Sequence, residues 1–318
     1  IGVENQSGTV GTAYGSPSNG LAIKFTPNLV NTVLQDLSYS YDDAGNISTI
    51  TDNLNTSRNQ GFTYDELNRL RTAQSTSYGT ITYSYYPIGN IWTNSQVGTY
   101  VYDPNRIKPH AVRQAGSNTY GYDANGNMTS RNGRTINYDY DNMPSSISYG
   151  SGSLSLIYDS SLRRVKKTGP SATTVYIGRL YECTNSICTK YIFGESQRLA
   201  NKTGSSVFYY HTDHLGSSSV ITNAISTKVE EIYYYPFGQT RFNSGSANVK
   251  HKFTGQEEDM ETGLYYFGAR YYDPIIGRFI SPDSLVQSYR HPQTLNRYSY
   301  ALNNPLLYRD PNGEANTV

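Results

Sequence analysis

A Tyr-Asp pair recurs along this chain, and that recurrence constrains the fold more than any other feature. Tyr41-Asp42, Tyr64-Asp65, Tyr102-Asp103, Tyr122-Asp123, Tyr138-Asp139 and Tyr158-Asp159 open similar units. Tyr85-Tyr86-Pro87-Ile88-Gly89-Asn90 is a variant without the Asp. The leading tyrosines stand roughly twenty residues apart, the period of a repeat architecture. Tyr122-Asp-Ala-Asn-Gly-Asn-Met nearly copies Tyr41-Asp-Asp-Ala-Gly-Asn-Ile.

Each unit has a local physical reading. Thr80-Ile-Thr-Tyr-Ser-Tyr85 alternates its side chains as a strand does. Asp caps backbone N–H groups in an Asx-turn, and the following Gly or Asn accepts a positive φ. A second strand follows, as in Ile47-Ser-Thr-Ile50. One unit is therefore a β-hairpin, and a lone hairpin is too weak to stand without neighbours. The pattern predicts an all-β fold: a spiralling antiparallel ribbon that advances hairpin by hairpin. The best short helix candidates are Gln256–Met260 and Pro282–Ser288.

Composition supports order over disorder. The 26 Lys+Arg nearly cancel the 25 Asp+Glu, for a net charge of +1. The 32 tyrosines supply strand-forming apolar rings with polar tips, and 28 Gly and 13 Pro punctuate them. A balanced charge without a basic cluster argues against nucleic-acid binding. No stretch is apolar enough for a membrane span, and no secretory leader stands at the start. The start at Ile1 reads as a processed product or a piece of something longer.

Beyond residue 200 the units become irregular and the motifs more specific. Tyr209-Tyr-His211-Thr-Asp213-His214-Leu-Gly216 precedes Tyr233-Tyr-Tyr-Pro236-Phe-Gly238. A long run follows from Phe253-Thr-Gly255-Gln through Gly263-Leu-Tyr-Tyr-Phe-Gly-Ala-Arg270 and Asp273-Pro274 to Gly277-Arg278-Phe-Ile-Ser-Pro282-Asp283. Asn296-Arg-Tyr-Ser-Tyr-Ala-Leu-Asn303-Asn304-Pro305 leads to Tyr308-Arg-Asp310-Pro311-Asn-Gly313. These stretches resemble the YD-repeat (RHS) family, across nearly the whole chain from about 36 to 313. The resemblance implies a hollow β-shell closed at one end by a plug-like C-terminal core region. It divides the chain into N-terminal lead-in strands over 1–35, a YD-repeat hairpin array over 36–208 and the core-associated region over 209–318. In polymorphic toxins and insecticidal complexes such a shell encloses a C-terminal toxic passenger, and in teneurins it serves adhesion. About 300 residues are too few for a large cavity, so the expectation is part of a longer shell or a small, partly open one.

The implied function is a scaffold, secreted or on a bacterial cell surface, that encloses or displays its own C-terminal passenger, with the remaining shell segments as partners. Three further readings stand beside it. Unpaired ribbon edges could join copies into a fibre. The tyrosines could stack on glycan rings, although filling the sheet's inner layer is the plainer use. Some family members also cut themselves after a terminal Asp-Pro-x-Gly with two aspartates. The matching residues are Asp283 and Asp310, with Arg278 as a supporting group. Two close carboxylates sharing a proton supply both an acid and a base. Ser284 after Asp283 and Glu314 after Gly313 depart from the cleaving pattern. The plainer reading makes Asp283 and Asp310 turn caps.

The remaining motifs read as structural. His211, Asp213 and His214 suggest a metal cluster, but residues three apart on a strand face opposite sides, so turn hydrogen bonding is the expected role. Neither metal nor cofactor is expected. Arg163-Arg-Val-Lys-Lys167 is the only basic run and reads as a solvated edge. Asn185-Ser186 is a turn between Cys183 and Cys188. A hairpin there sets the two sulfurs opposite each other, as a disulfide in an oxidising compartment or as two reduced thiols.

Overall fold

In the computed structural model, which describes residues 33–318 except 106, 151, 315 and 318, each Tyr-Asp pair has a divided task. The Asp closes its own turn. Asp42 Oδ1 accepts from the amides of Ala44 at 3.0 Å and Asn46 at 2.8 Å. The same pair of bonds recurs at Asp65, Asp139, Asp159 and Asp213. Asn223 does this where no Asp is present.

The Tyr reaches back to the preceding turn. Its hydroxyl donates to the carbonyl of the residue just after that turn: Tyr64 to Ile47 at 2.8 Å, Tyr85 to Leu70 at 2.6 Å and Tyr158 to Pro144 at 2.8 Å. Tyr102, Tyr138 and Tyr234 do the same to Ile91, Met128 and Ser218. A register shift falls at each of these tyrosines, for example between Ser40 and Tyr41 and between Thr63 and Tyr64. Such a bulge turns the ring off the strand's own alternation and toward its neighbour.

These units build a 22-stranded antiparallel sheet. Leu37–Tyr41 pairs with Ile47–Asp52, and each strand pairs with the next in chain order until Lys228–Tyr234 pairs with Thr240–Gly245. The ribbon thus continues past residue 208. Its first and last strands each have one ladder neighbour among the described residues. Side chains bridge the seam between the two ends instead. Arg58 Nη1 lies 2.9 Å from Glu231 Oε1, Arg241 Nη1 donates to Ser77 at 2.8 Å, and the rings of Tyr78 and Tyr235 are 5.5 Å apart.

The apolar face of the ribbon points at residues 253–306. Ile47, Leu70, Ile81 and Tyr83 share one core with Phe253, Tyr265, Phe267, Tyr272, Phe279 and Tyr300. Ile91, Tyr100, Met128, Ile136 and Leu154 share a second with Leu264, Tyr271, Ile276 and Ile280. The enclosed segment carries its own four-stranded sheet: Glu257–Asp259, Leu264–Tyr266, Tyr271–Asp273 and Arg278–Phe279. It also grips turn tips on one side of the ribbon. Asn304 donates to Asn46 Oδ1 at 2.8 Å, Gln293 to the Leu67 carbonyl at 3.0 Å, Asn296 to Gly89 at 3.2 Å and Tyr298 to Gly126 at 2.6 Å.

Several expectations need correction. Neither helix candidate is helical: residues 257–259 are a strand, and residues 282–288 are bends and coil. Alternation sets Glu257 and Asp259 on one side of that strand, where Arg164, Lys167 and Lys250 meet them. The basic run is therefore no solvated edge. Arg164 Nη1 lies 2.7 Å from Asp259 Oδ2, with both side chains buried, and Lys167 Nζ lies 2.8 Å from Asp259 Oδ1. A carboxylate strand placed opposite draws inward charges that the local sequence assigns to water. The lead-in strands of 1–35 lie outside the described residues but for 33–35. Cys183 faces Cys188 in register, with their sulfurs 2.00 Å apart.

The turn geometry carries one prediction. The residue three places after Asp42, Asp65, Asp123, Asp139 and Asp213 is a Gly or Asn with positive φ, but in the turn of Asp159 it is Leu162 at φ +59°. A leucine side chain crowds the following carbonyl there, and this one is 38% exposed, so little packing is lost on its removal. Leu162→Gly is expected to raise stability by about 1 kcal/mol. The check is the urea midpoint, which would fall if Leu162 contributed chiefly through packing.

Candidate functional site

Two loops that are far apart in sequence meet around a single guanidinium. Arg270 ends the Phe267-Gly-Ala-Arg turn, and Asp310 opens the Asp-Pro-Asn-Gly turn. The loops touch closely because glycines stand at the contact. Gly268 has φ +95° and Gly313 φ +83°, and a Cβ on either would lie 3.0 Å from backbone of the other loop. Ala269 N donates to the Asn312 carbonyl at 2.9 Å.

Arg270 Nη2 is shared by two carboxylates, Asp283 Oδ2 at 3.0 Å and Asp310 Oδ2 at 3.1 Å. All three side chains are buried. Arg270 Nε donates to the Gly313 carbonyl, and Nη1 donates to the Arg297 carbonyl at 2.8 Å. Asp310 Oδ1 accepts from the amides of Gly313 at 2.8 Å and Glu314 at 3.1 Å. Asp283 Oδ1 caps Leu285 N at 2.9 Å. Both aspartates are thus turn caps, and both also converge on one cation. Burial is the main force on Asp283 and lifts its carboxyl above the ordinary range. Arg270 opposes that shift, while the charges of Asp310 and Glu314 add to it. Burial also lowers the Arg270 guanidinium, against the pull of Asp283 and Asp310.

The Gly313–Glu314 peptide lies inside this constellation. Its carbonyl oxygen is held by a guanidinium and its nitrogen by a carboxylate. A cation on the oxygen stabilises negative charge developing there, and the Asp310 carboxylate beside the nitrogen is placed to exchange a proton with it.

Of the residues expected from the sequence, the structure brings Asp283 and Asp310 together but sets Arg278 elsewhere. Arg278 is buried, donates to Asn296 Oδ1 at 3.2 Å and lies over the Tyr102 ring at 5.7 Å. Arg270 holds the place assigned to it. The run Phe253–Asp283 offers both arginines, and only the loop contact made by Gly268 and Gly313 chooses between them. The histidines stand apart in role. His211 Nε2 meets Thr222 Oγ1 at 3.0 Å, His214 Nε2 meets the Leu306 carbonyl at 3.0 Å, and Asp213 caps its own turn. No metal-binding group of His, Cys, Asp or Glu occurs among the described residues. The leading tyrosines turn their hydroxyls to neighbouring backbone rather than outward. No helix among the described residues is long and apolar enough to cross a membrane.

Comparison with known proteins gives the wider frame. The profile described as Teneurin YD-shell matches residues 89–306, and the RHS Repeat profile matches residues 41–81. The chain is 30% identical over 289 residues to the tRNA3(Ser)-specific nuclease WapA of Bacillus spizizenii, which covers 87% of this chain and 11% of that protein. It is 32% identical over 112 residues to toxin subunit YenC1 of Yersinia entomophaga, covering 34% of this chain and 11% of that one. Among solved structures it resembles the Photorhabdus luminescens Tc holotoxin pore, with TM-score 0.73 and 21% identity over 90% of this chain and 17% of the other. The chain thus spans about a tenth of the length of these two curated relatives.

Proposed function

The chain belongs to the RHS/YD-shell family, and from that premise we propose that it is the closing end of a shell that holds a polypeptide passenger. The observation that carries this reading is the grip of residues 293–304 on four turn tips on one side of the ribbon, those at Asn46, Leu67, Gly89 and Gly126. A segment bound across several turns of a spiralling wall blocks that end of the spiral. Residues 253–306 pack against the apolar face of this part of the ribbon, so a passenger would sit beyond them, within wall that would pair with the Leu37–Tyr41 edge. Its partners are then the passenger and those further shell segments. The reading also puts the protein outside a bacterial cell, secreted or on its surface, where a Cys183–Cys188 disulfide persists. Electron microscopy of the protein as the cell makes it tests the proposal. These residues are expected at one end of a closed shell with polypeptide density inside, and an open, empty wall would overturn it.

The site favours a second activity for the same chain, self-cleavage at Gly313–Glu314. The cleavage requires one proton on the pair Asp283 and Asp310, which converge on Arg270. The unprotonated carboxylate takes a proton from water, whose oxygen bonds to the Gly313 carbonyl carbon. Arg270 holds the oxygen as charge develops on it. The pair's proton then passes to the Glu314 nitrogen as the C–N bond breaks, leaving a Gly313 carboxyl group and a free Glu314 amine. Glu314 sets a further negative charge beside the dyad, which slows this chemistry. Intact-mass spectrometry during incubation should find a cut after Gly313 that Asp283→Asn slows by roughly 10²–10⁴-fold, whereas Glu314→Leu speeds it. A parent chain that stays whole, with the Glu314→Leu variant equally whole, removes the activity and leaves the shell reading untouched.

A further inference from the structure

Neither the wall nor the dyad accounts for a large cleft among the described residues. It lies between the strands Ile187–Gly194, Gln197–Thr203 and Ser206–Thr212 and the loops at Gly255 and Pro311, with a volume of ≈ 1010 Å³. A second hollow of ≈ 500 Å³ shares Arg179, Arg198, Gly255, Gln256 and Pro311 with it. The pair exceeds the volume that a single small ligand fills, which suits a stretch of polymer.

Three arginines, Arg179, Arg198 and Arg309, line the larger cleft. None has a carboxylate within ion-pair distance among the described residues. The acids that line the two hollows are mostly engaged within the fold: Glu182 by Lys250 at 2.5 Å, Glu257 by Arg164 at 2.8 Å, and Asp159 and Asp213 by the amides of their own turns, while Glu195 is exposed and offers its carbonyl to Arg179 at 3.5 Å. Arg198 is the most confined. Its guanidinium stacks on Tyr191 at 5.0 Å and Phe193 at 5.1 Å, and Nη1 donates to the Gly255 carbonyl at 3.0 Å. Its buried Nε has no hydrogen-bond partner, and neither has the buried His251 Nδ1 nearby. Arg179 stacks on the same Phe193 ring, at 4.7 Å.

A guanidinium held by its faces against rings keeps its N–H edge for a partner in its own plane, and the planar partner that matches it is a carboxylate. Leaving such a cation desolvated and unpaired is unfavourable, so the arrangement gains most when an anion arrives. We propose that this cleft binds an acidic polypeptide segment, with Arg179 and Arg198 as its carboxylate anchors. The proposal is independent of the shell reading and of self-cleavage, because it concerns a surface that neither uses.

Fluorescence anisotropy with a labelled oligo-glutamate peptide tests it. The peptide is expected to bind, to weaken as salt rises, and to weaken roughly tenfold in Arg179→Glu, whose exposed position leaves folding intact. Arg198→Gln should weaken binding similarly, with circular dichroism used to check that the strands remain. The proposal fails if oligo-glutamate does not bind, or if Arg179→Glu binds it as tightly as the parent. It also fails if a sulfated oligosaccharide binds at this cleft and oligo-glutamate does not.

Discussion

Arg131→Met is expected to destabilise the protein by about 3–5 kcal/mol, because it leaves a buried carboxylate without its cation. Arg131 Nε lies 2.6 Å from Asp273 Oδ2, and Nη2 lies 3.1 Å from Asp273 Oδ1, a bidentate pair joining the ribbon to the enclosed sheet. Nη1 also donates to the Thr262 carbonyl at 3.0 Å. Asp273 is 0% exposed, and its remaining bond, from Ile275 N at 3.0 Å, does not neutralise it. The double variant Arg131→Met/Asp273→Leu should regain much of the loss, since the unpaired charge is then absent. Urea unfolding of the two single variants and the double measures the coupling. A loss below about 1 kcal/mol for Arg131→Met would mean that water reaches the pair as it does at a surface salt bridge.

Phe267→Ala carries a comparable effect by another route. Phe267 is 1% exposed, and its ring lies 5.4 Å from Tyr272, 5.5 Å from Phe279 and 5.7 Å from Tyr300. Removing it opens a cavity among rings that are tied to the ribbon. Tyr272 donates to the Phe237 carbonyl at 2.7 Å, and Tyr83 lies 5.2 Å from Phe237. Phenylalanine-to-alanine changes at such positions cost about 3–5 kcal/mol. Hydrogen exchange locates the damage: amides of the strands Ile47–Asp52 and Gly79–Tyr85 should lose protection together with residues 264–280. Loss confined to residues 264–280 would mean that the ribbon stands without its filling.

The first prediction concerns a pair of residues 142 apart, and the second a ring cluster tied to the ribbon through Phe237 and Tyr83; such links between distant segments are what sequence reading reaches least well. Within one unit the signals are short-ranged. Tyr158-Asp159 announces a turn because Asp159 caps amides two and four residues on. The hydroxyl of Tyr158 reaches Pro144, one unit back, so its purpose is invisible until the units are laid side by side. The basic run misled for the same reason. Alternation distributes Arg163 to Lys167 over two faces, but nothing near them in sequence says that one face meets Asp259. The candidate helix at 256–260 failed because Glu and Asp suit a helix start in isolation. Here their carboxylates answer cations on the ribbon, and an extended backbone is what aligns them.

The candidate site divides in the same way. Asp283 and Asp310 were legible because each stands in a distinctive motif. Arg270 was not, because its neighbour Arg278 stands in an equally distinctive one, and their different destinations depend on how two loops close.

The repeating sequence alone determined that the chain is a β ribbon of capped turns, because turn caps and alternation are set by residues only a few places apart. Only the tertiary structure decided what the ribbon surrounds, which arginine stands between the aspartates and which charges are buried. Those outcomes depend on distant segments meeting, and the energy of a buried charge or ring is defined by its neighbours in space, not by those in sequence.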